Sequence, residues 1–141
     1  MKTISHLFIF ATLLFSVACT NSNLQSKTFD QVTLYYPDSL LTALQIENLG
    51  KYLSYSQLIK GDVRIQKNNQ GIYELSIHVD KNILSSQKAT QTLVTMSKQL
   101  TADGFINNNL INILGCDEKF KPLRLYTIDQ SYNLVPLPPY Q

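Results

Sequence analysis

The sequence is poor in the residues that build metal sites and disulfide scaffolds: its 141 residues include two cysteines, two histidines and no tryptophan. No C-x-x-C or H-x-x-x-H spacing occurs, so the sequence indicates no structural zinc site. Twelve Lys and Arg against ten Asp and Glu, without a basic block, argue against a nucleic-acid partner. Glycine-rich phosphate loops and the G-x-S-x-G and H-E-x-x-H motifs are also missing, and we therefore expect no cofactor.

Long apolar runs are equally scarce, and the one that occurs lies at the N-terminus. Residues 7–17 follow Lys2 and are apolar except for Thr12 and Ser16. About eleven residues is the length of the apolar region of a signal peptide, whereas a membrane-spanning helix needs about twenty. The sequence therefore predicts that residues 1–18 are an export signal, and that the rest of the chain does not span a membrane.

The residues at the end of this signal resemble a lipobox. Residues 15–19 read Phe-Ser-Val-Ala-Cys, with Ser16 where bacterial lipoproteins usually have Leu. The resemblance implies that Cys19 carries acyl chains such as palmitate, which anchor the protein to the bacterial envelope. Thr20, where an Asp would indicate inner-membrane retention, implies the outer membrane. Alternatively, ordinary cleavage after Ala18 would leave Cys19 as the first residue of a secreted protein.

The remaining chain divides into three parts by composition. Residues 19–28 are polar and are predicted to form an irregular, lipidated tether. Residues 29–128 have the length and patterning of a single α+β domain. Residues 129–141 contain Pro136, Pro138 and Pro139 and are predicted to form an extended tail, because proline excludes helix.

Periodicity within the domain predicts strands at residues 32–36, 62–66, 72–80, 110–114 and 123–128. The first helix is predicted to begin at Asp38 or Ser39, with Gly50 weakening or splitting it. The second is predicted to begin at Ser85 or Ser86 and to end before Gly104. Its apolar stripe is Ala89, Leu93, Met96 and Leu100.

The order of these elements is β-α-β-β-α-β-β. Its first six elements match the ferredoxin-like arrangement, an antiparallel sheet with two helices on one face. We therefore expect an α+β domain of this kind, with the last strand added at an edge.

Four polar residues are candidates for chemistry. His78 and Asp80 alternate on one face of a strand, and Cys116 and Asp117 end another strand. If they converge, they form a small metal site or a thiol enzyme site with His78 as base. The favoured interpretation is a solvated strand face and a solvated turn, because no paired-ligand spacing occurs. Cys116 itself has three possible states: a buried inert thiol, a disulfide with Cys19, or a reactive thiol.

Two stretches resemble uncharacterised small bacterial envelope domains. They are residues 46–53 (IENLGKYL) and residues 113–124, which begin ILGCDEKF and end PLR. The similarity spans about residues 40–128 and implies a fold, without an activity or catalytic residues. We therefore expect a non-catalytic interaction module of the cell envelope, anchored to the membrane by its lipid and binding an envelope protein. The alternative is the metal or thiol enzyme using His78 and Cys116.

Overall fold

The seven strands of the sheet lie side by side in the order in which they occur along the chain. The computed structural model describes residues 23–135. The strands are β1 Leu24–Phe29, β2 Val32–Pro37, β3 Gly61–Lys67, β4 Tyr73–His78, β5 Ile111–Cys116, β6 Pro122–Tyr126 and β7 Ser131–Asn133. The helices are α1 Ala43–Ser54, α2 Lys81–Ser85 and α3 Gln87–Ala102.

Two pairs of neighbouring strands are parallel, and the other neighbouring pairs are antiparallel. β2 and β3 are parallel and connected through α1, and β4 and β5 are parallel and connected through α2 and α3. Because β3 and β4 are antiparallel, the first parallel pair runs in the opposite direction to the second. The sheet is therefore mixed, and each helical connection joins strands that are direct neighbours.

The predicted fold class is wrong. The sheet is mixed where an antiparallel sheet was predicted, and it has seven strands and three helices in place of five strands and two helices. In a ferredoxin-like sheet another strand lies between the two strands that a helix connects, whereas here those strands are hydrogen-bonded to each other. The sequence pattern showed which segments are strands, but it carried no information on which strands are neighbours.

Most of the buried apolar side chains of the sheet point to one face, which α1 and α3 cover, whereas Leu114 and Cys116 lie buried on the other face. Strand registers place Leu34, Ile65, Leu75, Ile113 and Tyr126 on the covered face, each 1% or less exposed. The helices contribute Leu49, Leu53, Leu93 and Leu100, all fully buried in the same cluster. Because a fully buried Leu or Ile side chain stabilises a fold by roughly 1.5–3 kcal/mol, this interface dominates the stability of the domain.

Helix α1 begins later than predicted and is not split. Thr42 caps it in a capping box with Gln45, so the predicted caps Asp38 and Ser39 are wrong. Gly50 lies inside the continuous helix, where an added Cβ would lie 2.1 Å from the Phe29 ring. The absence of a side chain at Gly50 therefore allows α1 to approach β1 closely.

Helix α3 follows the prediction. Ser86 caps it, and its side chain accepts a hydrogen bond from Ala89 N at 3.1 Å. The predicted stripe of Ala89, Leu93, Met96 and Leu100 is buried, and Gly104 follows the helix with φ 66°. The Ser97 hydroxyl donates to Ile111 O at 2.6 Å, which joins the middle of α3 to the start of β5.

The sheet extends into both segments that were predicted to lie outside the domain, the tether and the extended tail. β1 begins at Leu24, within the predicted tether, so residues 20–23 alone separate Cys19 from the sheet. Its polar side chains gave no alternating apolar pattern. β7 lies within the predicted tail. Residues 1–22 and 136–141 lie outside the described residues, as do the signal, Cys19 and the three tail prolines. No helix within residues 23–135 has the length and apolar character to cross a membrane.

We predict that Gly50→Ala destabilises the domain although Ala favours helix. The gain in helix propensity is about 1 kcal/mol, whereas the methyl group would overlap the buried Phe29 ring, and overpacking costs about 1–3 kcal/mol. Denaturant unfolding should show a net loss of about 1 kcal/mol. The double variant Gly50→Ala/Phe29→Leu should recover part of that loss, because it removes the overlapping ring atoms. A Gly50→Ala variant more stable than the parent would contradict this packing.

Candidate functional site

His78 and Cys116 lie side by side at the ends of two neighbouring parallel strands. They are register partners in the pairing of β4 with β5, so both side chains point to the face that α1 and α3 leave open. The structure therefore brings together the two residues that a thiol or metal site would require. What that site can do depends on the state of each group.

The Cys116 thiol is buried and protonated. Cys116 has no exposed surface, and its sulfur donates to Leu114 O at 3.6 Å. Burial raises the pKa of the thiol to about 11, so the thiolate that acts as a nucleophile or metal ligand is scarce at neutral pH. Of the three states considered for Cys116, the buried thiol is the one observed. The partner in the proposed disulfide, Cys19, lies outside the described residues.

His78 is held in place by the loop that follows Cys116. Its Nδ1 lies 2.9 Å from Asp117 O, and because a carbonyl only accepts, Nδ1 carries the proton of this bond. The imidazole also packs on the Phe120 ring, with the centroids 4.3 Å apart. The Arg64 guanidinium lies 3.8 Å from the centre of that ring. His78 is therefore half-buried, and its imidazole is engaged in a hydrogen bond and in ring packing.

The two candidate carboxylates bind backbone amides. Asp117 Oδ1 accepts from Lys119 N and Lys121 N, both at 2.9 Å, and these bonds lower the pKa of the carboxyl group. Asp80 Oδ1 accepts from Ile83 N at 2.9 Å and caps α2. Neither carboxylate joins His78 and Cys116 in a ligand set. Among residues 23–135, no group of three or more His, Cys, Asp and Glu side chains could hold a metal ion.

Phe120 and Arg64 complete this cluster, and sequence analysis identified neither. Phe120 has φ 60°, which turns the chain back so that the ring packs on His78. Its amide donates to Asp117 O at 3.0 Å, so Asp117 shapes the turn through its carbonyl as well as its carboxylate. We attribute the burial of Cys116 on a face without helices to this loop. A left-handed phenylalanine carries no sequence signal, because such positions usually hold Gly or Asn.

Two grooves on the surface could receive a ligand. A cavity of about 580 Å³ lies between the end of α1 and the start of α3, lined by Tyr52, Tyr55, Leu58 and Met96 among others. The hydroxyl of Tyr52 donates to Gln99 Oε1 at 2.9 Å and so bridges the two helices. A second cavity, of about 570 Å³, lies beside His78, and its lining combines apolar residues with charged ones: Ile83, Leu84, Leu123, Val135, Asp80, Lys81, Asp117 and Glu118. The carboxylates of Asp80 and Asp117, which line the second groove, bind backbone amides of α2 and of the loop after β5.

The outer edge of β1 is the longest open backbone edge in the described part of the chain. Asp38 N donates to Asn23 O at 3.4 Å, so odd-numbered residues of β1 are hydrogen-bonded to β2. The N–H and C=O groups of Leu24, Ser26 and Thr28 therefore point outward. β1 has no proline or bulge that would block pairing. β7, at the other edge, has three residues.

Comparison with known proteins adds no constraint on this site. No protein-family model matches the chain, and no curated protein or solved structure shows significant similarity to it.

We predict that Phe120→Ala makes Cys116 reactive. Removing the ring should expose the thiol and move its pKa from about 11 towards its ordinary value of 9.0. In a Cys19→Ser background, labelling by a thiol reagent at pH 8 should be faster, and the pH profile of the rate should shift to lower pH. Gly50→Ala, which perturbs the opposite face, controls for labelling through global unfolding. If Phe120→Ala and the parent label at the same rate, the loop does not cover Cys116.

Proposed function

We propose that this chain is a lipid-anchored, non-catalytic interaction module of a bacterial cell envelope, the outer membrane being favoured. In this proposal Cys19 carries the lipid, and a protein partner adds a strand to the open edge of β1. The observation that carries the proposal is the continuity of these two features, because the unpaired edge begins five residues after the predicted lipidation site.

The edge of β1 is suited to strand addition because α1 holds the strand in place. Lys27 Nζ lies 2.7 Å from Glu47 Oε2, and the Phe29 ring packs against Gly50. Lys27 and Phe29 are both among the β1 residues whose backbone is hydrogen-bonded to β2. Their side chains hold β1 against α1, while the outward N–H and C=O groups of the residues between them remain available to a partner. A preformed strand loses less conformational entropy on binding, and main-chain hydrogen bonds then supply affinity.

The alternative, a metal or thiol enzyme using His78 and Cys116, receives little support. The thiol is buried with a raised pKa, and the carboxylates of Asp80 and Asp117 bind backbone amides. A lipid-anchored module needs no such chemistry. Confinement near one membrane raises its effective concentration toward partners there.

The anchor is tested by intact mass of the protein extracted from bacterial membranes, beside Cys19→Ser. We expect the mass of residues 19–141 plus acyl groups, because two or more chains hold a protein stably on a bilayer. The variant should remain unprocessed. An unmodified mass beginning at Cys19, with the protein in the soluble fraction, would refute the anchor.

The edge is tested by Ser26→Pro, with Ser26→Ala as the matched control. Proline removes an outward N–H without removing a bond to β2, so folding should be retained while strand addition is blocked. We expect crosslinking in intact cells to capture a defined envelope protein with the parent and with Ser26→Ala. Capture should fall by about tenfold with Ser26→Pro, since one lost hydrogen bond and a steric clash cost at least about 1.4 kcal/mol. Equal capture by all three proteins would exclude β1 as the binding edge.

A further inference from the structure

The end of the domain nearest to the tether differs in chemistry from the opposite end, and we propose that this tether end rests directly on the lipid surface. The tether end comprises Leu24, Leu44 and the loops 38–42, 68–72, 103–110 and 127–130. The distal end comprises the loops 30–31, 55–60, 79–86, 117–121 and 134–135. The inference rests on the proposed lipid anchor and adds to it a fixed orientation of the domain.

Strand directions assign each loop to its end. β1 starts where β2 ends, because Leu24 is the register partner of Pro37. β3 is parallel to β2 and therefore ends at the same end, and the loop into β4 lies there too. The same reasoning places the loop before β5 and the loop after β6 at this end. α1 starts there, and α3 ends there.

The tether is short enough to keep this end close to the membrane. Five residue steps separate Cys19 from Leu24, and an extended chain spans at most about 3.3–3.6 Å per residue. The anchored sulfur therefore lies within about 18 Å of the start of β1. Helix α1 alone is about 18 Å long, so the distal end can reach the bilayer only if the domain turns over on its tether.

Charge is distributed unevenly between the two ends. The charged residues in the loops of the tether end are three aspartates, Asp38, Asp103 and Asp129. Amides dominate there, in Asn-Asn-Gln at 68–70 and Asn-Asn-Asn at 107–109. The loops of the distal end carry many charges of both signs: Asp30, Lys60, Asp80, Lys81, Asp117, Glu118, Lys119 and Lys121. With three charged residues against eight in the distal loops, the tether-end loops incur less of the desolvation cost of bringing ionised groups against lipid.

Exposed apolar side chains occur at both ends of the domain, Tyr55 and Leu134 being distal, and those of the tether end are two leucines. Leu44 is 68% exposed on the first turn of α1, and Leu24 is 46% exposed at the start of β1. These loops contain no Lys or Arg, and Lys67, which ends β3 beside the 68–72 loop, lies over the Tyr73 ring, so attraction to anionic headgroups is weak. The contact is therefore one of leucines and amides with a zwitterionic bilayer surface, and we expect it to be insensitive to salt.

The absence of tryptophan from the chain permits a direct test of orientation. Single tryptophans replace exposed apolar residues at the tether end (Leu24→Trp, Leu44→Trp) and at the distal end (Tyr55→Trp, Leu134→Trp). All four positions are at least 45% exposed, so the larger ring is accommodated. The full-length protein is produced in bacteria, extracted and reconstituted into phosphatidylcholine vesicles with or without brominated acyl chains.

We expect a blue shift and a roughly twofold loss of fluorescence on brominated vesicles for the tether-end variants, because interfacial apolar side chains lie about 5–10 Å deep. The distal-end variants should show neither change. Leu44 and Tyr55 lie about 16 Å apart along α1, so one measurement separates the ends. Equal quenching at both ends, quenching at the distal end, or no quenching at either end would overturn the proposed orientation.

A second arm separates this inference from the anchor itself. Intact mass of the reconstituted protein reports whether Cys19 is acylated. If it is not, the chain beginning at Cys19 is coupled through that thiol to a maleimide lipid, while the buried Cys116 thiol stays unreactive. The same four tryptophans then report orientation on a chemical anchor. Missing acyl groups therefore refute the proposed function, whereas a wrong quenching pattern refutes the orientation.

Discussion

Burial of one face of the sheet beneath two helices is the constraint from which the remaining structure follows. The fully buried side chains of this face come from five strands and from both long helices, in one cluster. Since all this apolar surface is on one side, each strand must keep its register, because a slip of one residue would turn its apolar residues to solvent. The close approach of α1 at Gly50 and the Ser97 bond to β5 are consequences of the same packing.

The face of the sheet without helices carries the polar candidate residues. There the loop between β5 and β6 holds His78 and covers the end of the sheet. Asp117 makes four hydrogen bonds within its own turn and one to the His78 ring nitrogen, and so directs Phe120 back over the sheet. The side chains that suggested chemistry are thus engaged in holding a turn and capping a short helix. What remains exposed is backbone at the edge of β1 and, at the tether end, a surface with few charged residues.

Sequence analysis located the elements with strong local patterns and failed where long-range pairing decided the structure. The stripe of α3, the cap at Ser86 and the alternation in β4 are local, and the structure agrees with them. β1 was missed because its exposed polar side chains resemble a tether. The adjacency of His78 and Cys116 depends on the β4–β5 register, which is set by packing across the whole sheet. Likewise, the left-handed backbone conformation of Phe120 could not be predicted, because phenylalanine is not a residue type typical of such turns.

The two parallel strand pairs have a geometric consequence. The strands of the first pair run in the opposite direction to those of the second. In both pairs, however, the chain passes to the next strand in the same direction across the sheet, and both helices cover the same face. One crossover is therefore right-handed and the other left-handed, although about 98% of such connections are right-handed. Because rotation preserves handedness, no rotation superimposes one β-α-β unit on the other. The halves of this domain are thus related approximately as mirror images in topology, and a tandem copy of a single unit could not have produced them without reversing a crossover.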